Sequence, residues 1–170
     1  MNTKAAQYIK QLQLKKHPEG GYYKEVYRSG EIILPQHLPN RYNSARNFST
    51  SIYFLLEGEQ FSAFHLLQSD ELWHFYDGST VILYNIDQKG NLSIQKLGKG
   101  KECNFQLTIK KGIWFAAEVE NKKSFSLFGC TVSPGFDFED FKIGKRAELT
   151  QKFPQHESLI KLLTYSKKPE

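Results

Sequence analysis

The residues best suited to chemistry lie in one short stretch, DELWHFYDG at positions 70–78, and in the run before it. Glu71 and His74 stand three positions apart, a spacing that places two side chains on one face of a helix but on opposite faces of a strand. The stretch lies between two β-rich runs, so we predict a strand, which separates the pair. The better partner for Glu71 is therefore His65, in FSAFHLL on the preceding strand.

Together, His65 and Glu71 predict general acid–base chemistry in a pocket with aromatic walls. A carboxyl group flanked by Trp73 and Trp114 would be partly desolvated, which raises its pKa towards the range useful for proton transfer. His65 would share a proton with this carboxyl group or orient it. We therefore expect His65 and Glu71 to be the catalytic residues, with the two tryptophans lining the substrate site.

Four other side chains are candidates for binding substrate. Arg46 would hold an anionic group, and Lys24 or Tyr53 would supply a positive charge or a hydrogen bond to a developing enolate. Glu139, in SPGFDFEDF at 133–141, would reach the pocket mouth, although the phenylalanines around it favour a structural role for the segment. By contrast, HPEGG at 17–21 looks like a structural corner, in which paired glycines adopt angles that other residues avoid.

The elements that position these residues are mostly short strands. An amphipathic helix is predicted over 3–14 and another over 156–166, and a long loop with one short strand at 31–34 joins Arg28 to Phe48. Nine short strands at regular spacing predict a sandwich or barrel within a single domain spanning residues 1–170. The predicted strands are 22–28, 49–56, 61–67, 71–77, 80–86, 92–97, 105–109, 113–119 and 124–132.

Composition narrows the class of protein. The formal net charge is +5, but the lysines occur as scattered pairs, the last being Lys167-Lys168, which does not favour a nucleic-acid partner. The first residues lack the apolar core of a secretory signal, and no apolar run is long enough to span a bilayer. Cys103 and Cys130 have no metal-site spacing, and Cys130 reads as a buried, reduced thiol. We therefore expect a cytoplasmic protein.

Four stretches carry a family resemblance, and they occur in the order HPEGGYYKEVYRS, STSIYFLL, FHLLQSDELWHFYDG and CTVSPGFDFEDF. From about His17 to Phe153 the chain resembles the cupin-5 branch of the cupin superfamily, a domain of unknown function related in fold to the dTDP-sugar epimerases. The resemblance implies a mainly β fold, a double-stranded β-helix or jelly-roll barrel with a helix at each end. It also implies a homodimer and a pocket inside the barrel, but no particular reaction.

The resemblance also bears on a metal cofactor. Gly58, His65, Glu71 and Gly78 fall close to the first metal-binding motif of cupins, but Leu67 stands where its second histidine is expected. The region of the second motif, GIWFAAEV at 112–119, contains no histidine. We therefore assign no cofactor, while a divalent metal stays possible if His65, Glu71 and His74 converge as two histidines and a carboxylate.

Three functions are compatible with these observations. The first is a metal-free isomerase or epimerase that acts by proton transfer on a small polar metabolite, such as a sugar or nucleotide-sugar. The second is a metal-dependent cupin enzyme using His65, Glu71 and His74. The third is a non-catalytic module that binds a small ligand, since binding needs only a shaped pocket with a few polar groups.

Overall fold

A computed structural model describes residues 2–166; Met1 and residues 167–170, including the Lys167-Lys168 pair, lie outside the described residues. The helices are α1 (Thr3–Gln11), α2 (Arg146–Lys152) and α3 (Glu157–Leu162), with 3₁₀ turns at Pro35–His37, Phe138–Asp140 and Pro154–His156. The strands are β1 (Lys15–Lys16), β2 (Tyr22–Arg28), β3 (Ile32–Ile33), β4 (Arg46–Asn47), β5 (Thr50–Glu57), β6 (Phe61–Leu67), β7 (Asp70–Gly78), β8 (Val81–Ile86), β9 (Leu92–Leu97), β10 (Gln106–Ile109), β11 (Trp114–Val119), β12 (Phe125–Ser133) and β13 (Phe141–Ile143).

The structure confirms the nine predicted strands to within one residue at each end, together with the short strand in the long loop. It adds β1, β4 and β13, which are two or three residues long and carry too little pattern to be recognised from sequence. The first helix ends three residues early, because Leu12 caps it and Gln13 takes a positive φ of 55°. α2 was not predicted, and α3 is shorter than expected because it already ends at Leu162, with Leu163 as its C-cap.

Two antiparallel sheets contain most of the strands. One has the order β1-β2-β5-β12-β7-β10 and the other the order β13-β6-β11-β8-β9. Neighbouring strands such as β5 and β12 are far apart in sequence, as in a jelly roll. The facing sides of the sheets form a core rich in large aromatic side chains, whose largest buried members include Phe54, Trp73, Phe115 and Phe128.

Helices cover the outer faces of both sheets. α1 packs with Ala5 against Leu55 and Leu127 on the six-stranded sheet. The segment containing α2 and α3 covers Trp114 and Ala116 on the five-stranded sheet. Alternate residues of β5 and β11 therefore belong to two different hydrophobic layers, one between the sheets and one beneath a helix. No helix in residues 2–166 is both long and apolar enough to cross a bilayer.

The corner between β1 and β2 is the HPEGG turn. Gly20 and Gly21 have φ of 114° and 69°, as the sequence predicts. A Cβ on Gly20 would lie 2.1 Å from the backbone oxygen of Phe61, so this corner packs directly against β6. Any side chain at Gly20 would therefore both strain the backbone and push β6 away.

We predict that Gly20→Ala destabilises the protein by roughly 2–4 kcal/mol, because the methyl group meets backbone rather than a movable side chain. Chemical denaturation of the purified variant measures the loss. Gly30→Ala is the matched control, since Gly30 has no atom within 4 Å of its virtual Cβ and no positive φ. Equal effects of the two substitutions would show that the corner does not depend on glycine at position 20.

Candidate functional site

A bulge in β6 determines which side chains of that strand reach the barrel interior. The pairing with β11 matches Phe115 to His65 and Ala117 to Ser62, so the register shifts within β6. The backbone N–H of Phe64 instead donates to Leu163 O, and Phe64 O accepts from the N–H of Gly144. Because of this bulge, Ser62 and His65 reach the same buried group although they stand three positions apart.

That buried group is the carboxyl group of Glu19, from the HPEGG corner. Ser62 Oγ donates to Glu19 Oε1 at 2.8 Å, and His65 Nε2 lies 3.3 Å from Glu19 Oε2. His17 Nδ1 lies 3.5 Å from the same Oε2. The acid beside His65 is thus Glu19, whereas the sequence predicted Glu71. Regular alternation along β6 would put Phe61 on the same face as His65, but the Phe61 ring stacks on Tyr165 in the layer beneath α3.

The hydrogen bonds assign the proton positions of this cluster. His65 Nδ1 lies 2.8 Å from Ala63 O, which can only accept, so Nδ1 carries the proton and Nε2 presents a lone pair to Glu19. His17 Nδ1 accepts from the backbone N–H of Glu19 at 3.3 Å. The lone pair of His65 Nε2 therefore faces Glu19 Oε2, which is where the proton of a neutral carboxyl group is best placed.

The pKa shifts agree with a neutral cluster. Burial, followed by the neighbouring Glu71, raises the pKa of Glu19 well above its ordinary value, although the Ser62 hydrogen bond opposes this. Burial lowers the pKa of His65 to about 4, and burial together with His65 lowers that of His17 to about 3. These shifts favour uncharged groups, a protonated carboxyl group on Glu19 beside neutral imidazoles, so a proton can move between Glu19 and His65.

Glu71 lies on the inner side of β7 with Trp73, where both were predicted. Burial raises the pKa of Glu71 to about 7, against smaller opposing effects of Trp73 and Cys130. Glu71 Oε2 and Trp73 Nε1 are buried and have no hydrogen-bond partner among the described residues. Burial, followed by the charge of Glu71, raises the pKa of the Cys130 thiol. Unpaired buried polar atoms are costly, so this position favours a polar ligand.

The aromatic wall differs from the prediction at one residue. Phe115, not Trp114, faces the interior, and its ring centroid lies 3.9 Å from that of His65 and 6.2 Å from that of Trp73. Trp114 packs on the opposite side of β11 with the helical layer, so its predicted place in the pocket is wrong. The two residues are adjacent in a strand, and the register of β11 decides which of them points inwards.

Arg46 is buried, but its guanidinium is occupied by the protein itself. Nε donates to Asp140 Oδ2 at 2.7 Å and Nη2 to Asp140 Oδ1 at 2.8 Å, a two-point ion pair between β4 and the turn before β13. The predicted role of Arg46 in binding an anionic group is therefore wrong, because Asp140 already neutralises the guanidinium charge. Glu139 also contacts Arg46, at 3.3 Å, and accepts from Ser44 Oγ at 2.7 Å. Its carboxylate therefore belongs to this peripheral network.

Three other candidates lie on the outer side of the six-stranded sheet. Lys24 donates to Gln13 Oε1 at 3.0 Å, and the Tyr53 ring packs edge-on against Tyr76. His74 follows the strand parity expected from sequence and lies 3.2 Å from Thr131 Oγ1. Lys24 and Tyr53 therefore do not line the interior as predicted, because their strand positions alternate with the inward-facing Tyr23 and Phe54.

A cleft of about 1910 Å³ reaches the buried cluster from outside. His17 and Phe141 line it, so it meets the cluster at the histidine nearest the surface. Phe138 stacks on His17 with a centroid distance of 6.4 Å and is half exposed. A ligand in the cleft would thus contact His17 first and then the proton shared through Glu19.

The residues do not fit the metal site considered from sequence. His74 lies on the outer side of β7, whereas Glu71 points inwards, so His65, Glu71 and His74 cannot share one ion. Within residues 2–166, no group of three or more histidine, cysteine or acidic side chains is arranged to hold a metal.

The paired antiparallel sheets, enclosing a polar cluster among aromatic side chains, define a cupin-type jelly-roll barrel, which confirms the predicted fold. The chain belongs to the family described as Cupin superfamily (DUF985), whose model matches residues 6–144. It is similar to the uncharacterized protein YML079W of Saccharomyces cerevisiae, with 32% identity over 146 residues that cover 79% of this chain and 72% of the yeast protein.

Solved structures show the same fold. Protein SO0799 from Shewanella oneidensis is 34% identical, with a TM-score of 0.87 over 98% of this chain and 99% of that one. A hypothetical protein from Leishmania major is also 34% identical, with a TM-score of 0.84 and coverage of 95% and 99%. Oxalate decarboxylase from Bacillus subtilis is 15% identical, with a TM-score of 0.56 over 90% of this chain and 37% of the enzyme, a likeness of fold alone.

His17 and Glu19 are the cluster members that the sequence analysis assigned to structure only. A charged residue in a turn beside two glycines is usually solvated, so composition pointed away from them. The available signal was the spacing itself: an imidazole and a carboxyl group two residues apart, at a corner leading into a strand with an inward-facing tyrosine.

The pH dependence of stability tests the burial of Glu71. Its folded pKa of about 7 lies above the ordinary 4.5, so the stability it contributes is complete below pH 4.5 and is lost as the pH rises to about 7. The side chain introduced by Glu71→Gln does not titrate, so it makes no pH-dependent contribution. We expect its stability relative to wild type to improve by about 3 kcal/mol between about pH 4.5 and pH 8 in urea denaturation.

The buried histidines act in the opposite direction, since their lowered pKa values cost stability as the pH falls below about 6.5. This effect is common to wild type and variant and cancels in the difference. Glu31→Gln, at an exposed glutamate, is the control and should show no such trend. A pH-independent difference between Glu71→Gln and wild type would contradict the burial of an uncharged carboxyl group.

Proposed function

We propose that the protein binds a small polar metabolite, sugar-like or nucleotide-sugar-like, at the barrel end reached by the cleft, and moves protons on it without a metal. The observation that carries the proposal is the pairing of Glu71, with a pKa of about 7, and the neutral Glu19–His65 pair inside one barrel. Groups that change protonation near neutral pH are suited to general acid–base catalysis.

The reaction class follows from two proton positions. Glu71, as a carboxylate, takes a proton from the carbon next to a carbonyl group. The carbonyl oxygen receives the proton held between Glu19 and His65, which gives an enol. Return of a proton to the opposite face of that carbon, or to its neighbour, yields an epimer or an isomer. Isomerase or epimerase chemistry of this kind needs no external oxidant or reductant.

Deuterium incorporation tests this function. The purified protein in heavy water, incubated with a panel of keto-sugars and nucleotide-linked keto-sugars, should introduce deuterium next to the carbonyl of at least one of them, as measured by mass spectrometry. His65→Ala and Glu71→Gln should each slow incorporation by about 10²-fold or more. His74→Ala, on the outer side of the same strand as Glu71, should leave the rate unchanged.

Two results would overturn the proposal. The first is the absence of incorporation across the whole panel, and the second is a His65→Ala variant that is folded and as active as the wild type. Thermal melting of each variant separates loss of the fold from loss of the proton-transfer groups.

A non-catalytic ligand-binding module is the second candidate, and the low pKa of His65 favours it. An imidazole whose pKa is about 4 is a weak base, so it hydrogen-bonds more readily than it removes protons from carbon. In that case a ligand would raise the melting temperature of the protein and be recovered chemically unchanged.

We further propose that the protein acts in the cytoplasm, as a homodimer. Both cysteines are free, which is compatible with a reducing compartment. Large apolar side chains are exposed on β2 and on or next to β3 and β4, as expected of a surface that a second copy covers. These residues are Val26, Tyr27, Ile32, Leu34 and Phe48.

Light scattering coupled to size-exclusion chromatography should therefore give about twice the mass of one chain at micromolar concentration. Phe48→Asp places a charge in the exposed apolar surface and should shift the protein towards the monomer by roughly 1–3 kcal/mol in dimer stability. Leu162→Asp is the control, because Leu162 is similarly exposed but lies on α3. A monomeric wild-type protein would contradict the dimer.

A further inference from the structure

The wall of the cleft formed by α2 carries a positive charge that no acidic side chain of residues 2–166 neutralises. Lys145 pairs with Glu148 at 2.8 Å and Lys161 with Glu157 at 2.7 Å, so both charges are balanced within the helices. Arg146, between these pairs in the same wall, makes no ion pair within residues 2–166. An uncompensated guanidinium beside an open cleft is a favourable position for an anion.

Neutral oxygens hold Arg146 in place. Its Nε donates to Thr164 Oγ1 at 3.0 Å, and its Nη2 donates to the backbone oxygens of Lys161 and Thr164. These bonds orient the guanidinium group but do not neutralise its charge, because the acceptors are uncharged. Nη1 makes no hydrogen bond to the described residues. The side chain is half-buried, so its position is defined before any ligand arrives.

A second, independent observation points to the same place. Thr150 also lines the cleft, four residues after Arg146 and therefore on the same side of α2. Its Oγ1 is buried and has no hydrogen-bond partner among the described residues. A hydroxyl group in this state lacks an acceptor, and an anion oxygen held by Arg146 would supply one when rotation about χ1 of Thr150 turns the hydroxyl towards the cleft.

The acidic residues of the cleft do not cancel this charge. Glu57 accepts a hydrogen bond from the backbone N–H of Asn2, and Glu59 stands in the turn between β5 and β6. Neither forms an ion pair with Arg146. The remaining basic residue of the cleft, Lys16, lies on β1 next to His17 and makes no ion pair within the described part of the chain.

We propose that Arg146 and Thr150 form a subsite for an oxyanion, a phosphate or carboxylate group, of the ligand whose reacting end enters the barrel past His17. The inference deepens the proposed function, on which it rests for the position of the reacting end. It restricts the substrate class to metabolites that carry an anionic group at one end and a polar, proton-exchanging group at the other. The apolar cleft wall between the two, with Phe61 and Phe141, suits the carbon skeleton of such a molecule.

Anion binding can be measured without knowing the substrate. Inorganic phosphate, inorganic pyrophosphate and malonate are titrated into the wild-type protein, and binding is followed by calorimetry and by the shift in melting temperature. We expect saturable binding of at least one of these anions, weakened as salt is added. Whether phosphate or malonate binds better decides between a phosphorylated and a carboxylated substrate, and glucose, as a neutral probe, should not bind at this subsite.

Two variants test the residues. Arg146→Gln should weaken anion binding about tenfold or more, and Thr150→Val about threefold to tenfold. Lys145→Gln is the matched control, a neighbouring lysine of the same cleft whose charge is already paired, and should change binding less than about twofold. Arg146 also holds the end of α3, so its variant could lose stability. Thr150→Val has no such role, because its hydroxyl bonds nothing in the described fold.

The outcomes separate this inference from the proposed function. No saturable binding of any of the three anions, or unchanged binding in both Arg146→Gln and Thr150→Val, overturns the subsite. If deuterium incorporation still occurs in that case, the proton-transfer function stands alone. Anion binding that depends on Arg146 and Thr150, in a protein that incorporates no deuterium into any keto-sugar, supports the subsite and overturns the catalytic proposal.

Discussion

The carboxyl group of Glu19 is almost completely shielded from bulk water, and the residues around it replace that water. Ser62 donates to one oxygen, and His17 and His65 face the other. A buried acid without such partners would cost several kcal/mol, so the elements that carry them must all be in place. The glycine corner brings Glu19 inwards, the bulge in β6 supplies Ser62 and His65, and β11 closes the site with Phe115.

This arrangement explains why the interior can be both polar and stable. Because burial raises the pKa of Glu19 and lowers the pKa values of His17 and His65, the uncharged form of each group is favoured, and three titratable groups are buried together. Aromatic rings then pack against the cluster as they would against apolar side chains, with the Phe115 ring centroid 3.9 Å from that of His65 and the Tyr23 ring centroid 4.5 Å from that of His17. The same exclusion of water raises the pKa of Glu71, so stability and reactivity in this barrel have one physical cause.

The sequence predicts the fold closely but the site only in part. Alternation and turn residues identify every long strand, because each strand repeats its pattern several times. Strand parity also separates His74 from Glu71 correctly. Parity fails within β6, because the bulge inserts one extra residue into the strand. As a result Ser62, and not Phe61, points to the same side of the sheet as His65. It also cannot decide between Trp114 and Phe115, since both are large and aromatic and only the register with β8 and β6 orients them.

The remaining errors come from contacts between distant segments. Arg46 looks like an anion-binding residue in a loop until Asp140, 94 positions later, is brought against it. Glu19 looks like a solvated turn residue until β6 closes over it. The spacing of residues in the sequence does not reveal such long-range contacts, because they depend on how the two sheets are stacked.

The bulge in β6 has a further effect, on motion. The bulge turns the backbone N–H and C=O of Phe64 away from the neighbouring strand β11. The N–H donates to Leu163 O and the C=O accepts from Gly144 N–H, at the two ends of the segment that contains α2 and α3. The strand that carries His65 is thus hydrogen-bonded to the C-terminal segment as well as to its neighbouring strands. Local opening of that segment would release both backbone groups and loosen the strand, so hydrogen exchange at Phe64 and at the α2–α3 layer should belong to one cooperative unit.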